Sequence, residues 1–145
     1  MNDSMSEELR SRIADLFMAE ITASVVEKTP VDKGYMKIHW HERKVTPTQI
    51  ELSNNTSYLP FHITGTGLYG PKHQMICATG MSKTNPHHLH VMAWRPKGGG
   101  EMMFRRCIKG IRPNSFVDDG IEAGIVNAIG GIGDLIRRNG NLVLS

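Results

Sequence analysis

The spacing of apolar residues changes at one point near the N-terminus, and this change limits the folds open to the chain. Up to about Lys28 they recur every three or four residues, which is the spacing of one helical face. Thr29 precedes Pro30, and because a residue before proline disfavours helical backbone, the helix is predicted to end there. From Met36 onward apolar and polar residues alternate, as they do in a half-buried strand. The face of the predicted helix consists of Leu9, Ile13, Leu16, Phe17, Ile21 and Val25.

The elements follow the order helix, strands, helix. A capping-box spacing at Ser4 and Glu7 places the first helix at about 6–28, and the strand-rich middle runs over 35–109. A second helix is predicted at about 115–138, capped by Ser115. We therefore predict a single α+β domain spanning 1–145, with N-terminal and C-terminal helices packed on a mainly antiparallel sheet of about four to five strands. In this sheet the alternation predicts burial of Trp40 with Met36 and Ile38.

The second helix combines one apolar stripe with many glycines. A glycine inside a helix costs about 0.5–1 kcal/mol relative to alanine, so this helix is expected to need contacts with the rest of the chain or with another subunit. The stripe consists of Ile121, Ile125, Ile129, Ile132 and Ile136. The glycines are Gly120, Gly124, Gly130, Gly131 and Gly133.

Positive charge is concentrated in the segment 72–112. It holds eight basic residues and one acid, Glu101, for a formal charge of +7, whereas the rest of the chain carries nine basic and thirteen acidic residues, for −4. Such a segment is suited to a polyanion, and it is equally compatible with a solvated surface. A strand is predicted from Met102 to Lys109, in which Arg105 and Lys109, four residues apart, share one face. We take Lys97, Arg105 and Lys109 as candidates for a surface that faces a channel or a partner. Arg106, predicted on the opposite strand face, is the candidate for a structural ion pair within or between subunits.

Several features of the sequence indicate the cellular compartment. The polar, acidic N-terminus lacks the pattern of a secretory signal peptide, and no apolar run approaches the roughly 18 residues of a membrane span. Cys77 and Cys107 are too few for a disulfide framework. We predict that both are reduced and buried, in a protein made in a reducing cytoplasm.

Two motifs suggest cofactor chemistry, and neither has the surroundings that the chemistry requires. The segment 65–70 reads GTGLYG, but no helix is predicted after it to hold a pyrophosphate. His87, His88 and His90 lie in a segment with one carboxylate, whereas a metal-dependent nuclease needs acids for its metal. Together with the lack of a nucleophile motif, this predicts a protein that is not an enzyme and binds no metal or cofactor.

Three segments and the first helix resemble a known family in their order and spacing. The segments are TPVDKGYMKIHW at 29–40, NNTSYLPFHITGTGLYGPKH at 54–73 and IKGIRPNSFVDDGIEAG at 108–124. They are similar to the tail-component, tail-completion and head–tail joining proteins of long-tailed bacteriophages, over about 7–138. The matching positions are Pro30, Asp32, Gly34, Tyr58, Pro60, Phe61, Gly65, Thr66, Gly67, Gly110, Pro113 and Phe116.

The resemblance implies a structural virion protein without catalytic residues, made in the host cytoplasm and incorporated into the neck or tail. Members assemble as rings, often hexamers, so the implied partners are further copies and neighbouring neck, connector or tail-tube proteins, with non-specific contact to DNA in the channel. Physical roles follow for the matching positions: Pro30 ends the helix, Gly34 allows a turn, and Tyr58 and Phe61 are expected to bury ring area. Two alternatives remain, a small nucleic-acid-binding protein using 72–112 and a histidine-metal nuclease.

Overall fold

In the computed structural model the described residues are 2–31, 33–78 and 91–144, with side chains described at 6–31, 33–78 and 91–138. The α-helices are α1 (Asn2–Lys28), α2 (Tyr35–Ile38), α3 (Leu59–Thr64) and α4 (Phe116–Leu144), with a 3-10 turn at Gly67–Tyr69. The strands are β1 (Trp40–Thr46), β2 (Gln49–Asn54), β3 (Ile76–Cys77), β4 (Met92–Trp94), β5 (Met103–Arg105) and β6 (Cys107–Ile108).

The α+β class is confirmed, while the strands are arranged differently from the single sheet expected. Three antiparallel pairs form, β1 with β2, β3 with β6 and β4 with β5. The chain also divides into two compact units. The first unit comprises Met1–Leu59 and Ser115–Ser145, and the second comprises Pro60–Asn114.

Helix α1 buries the predicted face and ends at the predicted residue. None of the six apolar residues of that face is exposed, and Val25 is fully buried. The helix begins at Asn2, four residues before the predicted start at Ser6. At its end, the Val25 carbonyl accepts two hydrogen bonds from the buried Thr29, one from its backbone N–H over 3.0 Å and one from its hydroxyl over 2.6 Å.

The strand predicted from Met36 begins only at Trp40. Gly34 has a φ of 76°, and the chain then makes one helical turn, α2, which buries Met36 and leaves Ile38 73% exposed. The prediction that these residues and Trp40 share one buried strand face is wrong, because the helical turn breaks the two-residue alternation. Trp40 is half-buried, and its indole N–H donates to the Thr29 hydroxyl over 2.9 Å, which ties β1 to the end of α1.

The β1–β2 hairpin is joined to α1 by one basic side chain. Lys44 lies across from Ile50 in the strand pair. Its ammonium donates to the Ser11 hydroxyl and to the Asp15 carboxylate, each over 2.7 Å, and to the Ser11 carbonyl over 3.0 Å. Its side chain is largely shielded from solvent, so this contact fixes the hairpin against the helix more firmly than an exposed ion pair would.

Helix α4 packs on α1 through its smallest residues. A Cβ added at Gly120 would lie 2.7 Å from the Val25 Cα, and one added at Gly124 would lie 2.8 Å from the Ile21 backbone nitrogen. Together with the fully buried Ala128 they form a seam at four-residue spacing, along which the two helices approach closely. The contacts expected to hold this glycine-rich helix are therefore present, and the seam that makes them consists of glycines and alanine.

In the second unit, β3 and β6 are joined by a disulfide. Cys77 and Cys107 face one another in the strand pair, and their sulfurs are bonded. Cys77 is exposed and Cys107 is half-buried, so the prediction of two reduced, buried cysteines is wrong. The reason is one of register: two positions 30 residues apart become direct cross-strand neighbours. This pairing cannot be read from the spacing of the cysteines.

The β4–β5 ribbon replaces the long strand predicted from Met102 to Lys109. Arg106 lies at a bend that separates β5 from β6, and its carbonyl accepts a hydrogen bond from the Ala78 N–H over 2.8 Å. The segment linking β4 and β5 contains three consecutive glycines with positive φ, and no atom lies within 4 Å of an added Cβ at any of them. These glycines are Gly98, Gly99 and Gly100. Within the described ranges, no helix has the length and apolar character needed to cross a membrane.

Candidate interaction surfaces

Two of the recognised motif segments meet in the second unit. The Thr66 N–H donates to the Ile111 carbonyl, and the Ile111 N–H donates back to the Thr66 hydroxyl, each over 2.9 Å. Gly67 and Gly110 lie between this pair and a third bond, from the Leu68 N–H to the Lys109 carbonyl. Each is packed so closely against the opposite backbone that neither has room for a side chain. Both have positive φ, which glycine adopts without strain. We call this arrangement, residues 65–67 with 109–111, the glycine clasp.

The glycine clasp also explains the GTGLYG segment. Its Thr66 and Leu68 amides donate to the carbonyls of Ile111 and Lys109, so these amides are already engaged within the chain. A dinucleotide site needs such amides free and a helix N-terminus directed at the phosphates. Here the segment itself forms a three-residue 3-10 turn at Gly67–Tyr69, and Gly67 allows the close approach of two backbone segments.

The other positions that carry the family resemblance differ in burial, and one prediction about them is wrong. Phe116 is buried at the start of α4, whereas Tyr58 and Phe61 are both exposed. The prediction that these two rings are buried is wrong, because Phe61 lies on the short helix α3, which has no buried residue. Pro30 is half-buried just after α1, Pro60 and Pro113 are exposed, and Asp32 lies outside the described residues.

The two compact units carry formal charges of opposite sign. All eight basic residues of the segment 72–112, and its one acid, belong to Pro60–Asn114, which therefore carries a formal charge of +7. The remainder of the chain forms the other unit and carries −4. The second unit is thus a basic module and the first an acidic one, and their boundary matches the change in sequence composition.

The candidate basic residues are exposed but do not lie on one strand. Lys97 is in the turn of the β4–β5 ribbon, Arg105 ends β5, and Lys109 follows β6 in the glycine clasp. The argument that Arg105 and Lys109 share a strand face is wrong, because the bend at Arg106 separates them. Arg106 is exposed, and it joins none of the salt bridges found between described residues, so its ion pair remains a prediction for an assembled form.

Apolar side chains are mostly outside the core. In the part of the chain that is described, the buried hydrophobic residues are Val25, Met36, Phe116 and Ala128. Nineteen large hydrophobic residues are exposed in the same part of the chain. They include residues on α2 and α3, on the β4–β5 ribbon and on α4. Monomeric proteins do expose single apolar residues, but large groups of them mark surfaces that bind a partner.

The group on α4 has four members, and the sequence analysis did not predict it as a surface. Ile125, Val126, Ile129 and Ile136 are all exposed and lie on the side of α4 away from the glycine seam, and we call them the outer stripe. The signal was present, because Gly120, Gly124 and Ala128 recur every fourth residue and define one helical face. Close helix packing selects the smallest residues, so the side of α4 that packs on α1 is marked by these three positions and not by the isoleucines.

No group of three or more potential metal ligands occurs among the described residues. His87, His88 and His90 lie outside those residues. His73 is in the described part, with a φ of 48° and its ring nitrogen 3.2 Å from the Leu68 carbonyl, a contact within its own loop. Comparisons with protein-family models, with curated proteins and with solved structures each found no match.

Proposed function

We propose that this chain is a structural subunit of a ring at the neck or tail of a long-tailed bacteriophage, completing the tail or joining it to the head, and that it catalyses no reaction. The observation that carries this proposal is the excess of exposed over buried apolar side chains. A chain with so small a core gains stability from burying apolar surface against partners. The phage assignment itself depends on the resemblance of the motif segments.

The glycine clasp supports the use of that resemblance. Two motif segments separated by more than thirty residues were matched independently, and in the structure they bond directly to each other through Thr66 and Ile111. Residues that specify such a contact are expected to recur in proteins of one fold. The clasp therefore gives the motif positions a physical reason to occur together.

The charge division supports head-to-tail association. A ring closes when one surface of a subunit binds a different surface of the next through a fixed rotation. A basic unit and an acidic unit on one chain allow the basic unit of one copy to attract the acidic unit of its neighbour.

The second candidate function is non-specific nucleic-acid binding by the basic unit. Its supporting observation is the formal charge of +7 on Pro60–Asn114, with Lys97, Arg105 and Lys109 all exposed. Each neutralised phosphate would add about −0.9 to the slope of log affinity against log salt. In a ring, the same residues would line the channel or contact a neighbouring protein.

The experiment compares phage particles made with wild-type protein and with a variant in which Lys97, Arg105 and Lys109 are replaced by Gln. A matched control replaces the exposed Arg10, Lys28 and Lys33 of the other unit by Gln. The ring proposal predicts that the first variant alters DNA ejection or tail attachment and that the control alters neither.

The outcomes separate the candidate functions. Normal attachment with altered ejection places the three residues at the channel, and failed attachment with a folded subunit places them at a protein partner. Particles that form and eject DNA normally without any copy of the chain would overturn the ring proposal. If the purified chain then binds DNA with the salt dependence given above, the second candidate replaces it.

A further inference from the structure

The outer stripe of α4 is uncovered along most of the helix. Val126 is 68% exposed, Ile129 is 59% exposed and Ile136 is 53% exposed. They are separated by three and seven residues, so they lie along one line on the helix surface. Between them, Gly130 leaves an open gap, because no side-chain or backbone atom lies within 4 Å of a Cβ added there. At Gly133 the nearest atom to an added Cβ is a guanidinium nitrogen of the exposed Arg137 at 3.6 Å, so this gap opens when that side chain moves aside.

A two-fold rotation would place large residues of this surface opposite small residues of the same surface on a second copy. If a second copy of α4 lies antiparallel to the first, with a two-fold axis between Ile129 and Gly130, positions whose numbers sum to 259 face each other. Val126 then faces Gly133 of the second copy, and Ile129 faces Gly130. Val126 and Ile129 thus each meet a glycine and Ile136 meets the small Ala123, which is the interdigitation that close helix pairs require, whereas Ile125, the least exposed of the four, faces Asp134.

Charge along α4 fits the same arrangement. The first half of the exposed surface is acidic, with Asp118, Asp119 and Glu122, and the second half carries two basic residues and one acid, Arg137, Arg138 and Asp134. In the register defined above, Glu122 of one copy faces Arg137 of the other, twice per dimer. Within its own chain, Arg137 forms an ion pair with Asp134 over 3.1 Å, one helical turn away. Both side chains are exposed, so replacing this ion pair by one with Glu122 of the second copy costs little free energy. Antiparallel helices also place opposite dipole ends together.

We propose that α4 forms a two-fold contact with α4 of a second copy of this chain, antiparallel and centred between Ile129 and Gly130. The contact joins identical surfaces, so it is distinct from the head-to-tail contacts that would close a ring. It does not depend on the proposed function. If both hold, the two-fold contact links copies in two facing rings, or holds subunits as dimers before a ring forms.

Cysteine cross-linking tests the register. A single Ile129→Cys variant places two thiols near the two-fold axis, whereas Ile136→Cys places them about 20 Å apart along the helices, at 1.5 Å per residue. Under mild oxidation at micromolar protein concentration, the first variant is expected to form covalent dimers and the second is not. Cys77 and Cys107 are already bonded to each other, so they remain in place in both variants. Equal cross-linking of the two variants, or none in either, would overturn the proposal.

Charge reversal gives a second, independent test. Glu122→Arg and Arg137→Glu each place like charges across the contact, and each is expected to weaken dimerisation about tenfold or more in analytical ultracentrifugation. The double variant restores opposite charges and is expected to dimerise within a few-fold of wild type. Circular dichroism of each variant confirms that α4 is intact. Single variants that dimerise like wild type, or a folded double variant that does not recover, contradict the contact. Neither result bears on ring formation, which uses other surfaces.

Discussion

Gly67 and Gly110 show how much of this fold depends on single backbone positions. Each lies against the main chain of the other motif segment, and each has a φ that other residues adopt only with strain. Gly98 to Gly100 have similarly positive φ values but open surroundings. The two sets therefore separate the cost of backbone strain from the cost of steric overlap.

Gly67→Ala is expected to destabilise the second unit by roughly 3 kcal/mol or more, because strain and overlap with Lys109 act together. The matched control, Gly99→Ala, is expected to cost about 1–2 kcal/mol, the strain alone. Urea unfolding gives the two values, and hydrogen exchange of the Leu68 amide shows whether the clasp has opened. Equal losses in the two variants would show that the clasp does not set this stability.

The disulfide predicts a dependence on reductant. Reduction of Cys77–Cys107 removes a cross-link that closes a loop of about thirty residues, and the free energy of unfolding is expected to fall by about 3–4 kcal/mol. Thermal melting with and without dithiothreitol measures the change. A variant with both cysteines replaced by serine should melt like the reduced protein and be unaffected by the reductant. A wild-type melting temperature that does not respond to reductant contradicts the pairing.

At the scale of elements, helix α1, its end at Lys28 and the α+β class were all predictable, because each depends on local periodicity or on Pro30. The division of the strands into three pairs was not. It depends on the turn after Gly34, on the bend at Arg106 and on the clasp, and each of these is fixed by contacts between distant residues. The cysteine pairing and the exposure of Phe61 were missed for the same reason.

The glycines of α4 give the element-scale prediction. Gly124→Ala gains helix propensity but places a Cβ against the Ile21 backbone, so the variant is expected to lose about 2–3 kcal/mol of stability. Gly130→Ala, on the open side of the same helix, is expected to gain about 0.5–1 kcal/mol. Denaturant unfolding of monomeric protein provides both values. A stabilising Gly124→Ala would mean that the two helices do not approach through this seam.

At the scale of the whole molecule, we propose that the exposed apolar residues, the charge difference between the units and the outer stripe serve association with other chains. The core of the described part is small, with four buried hydrophobic side chains. In the proposed account, much of the remaining apolar surface is covered only after assembly. Apolar residues on α2, on α3 and on the β4–β5 ribbon would then be contacts to neighbouring copies or to neck and tail proteins.

The presence of this chain in finished virions tests the central proposal most directly. Quantitative mass spectrometry of purified particles is expected to detect the chain at a small, fixed number of copies per particle, equal in independent preparations and resistant to a high-salt wash. Fixed copy number follows from a closed ring, in which symmetry limits the number of subunits. If the chain is abundant in the infected-cell lysate but absent from the particles, it is not a virion subunit and the proposed function is wrong.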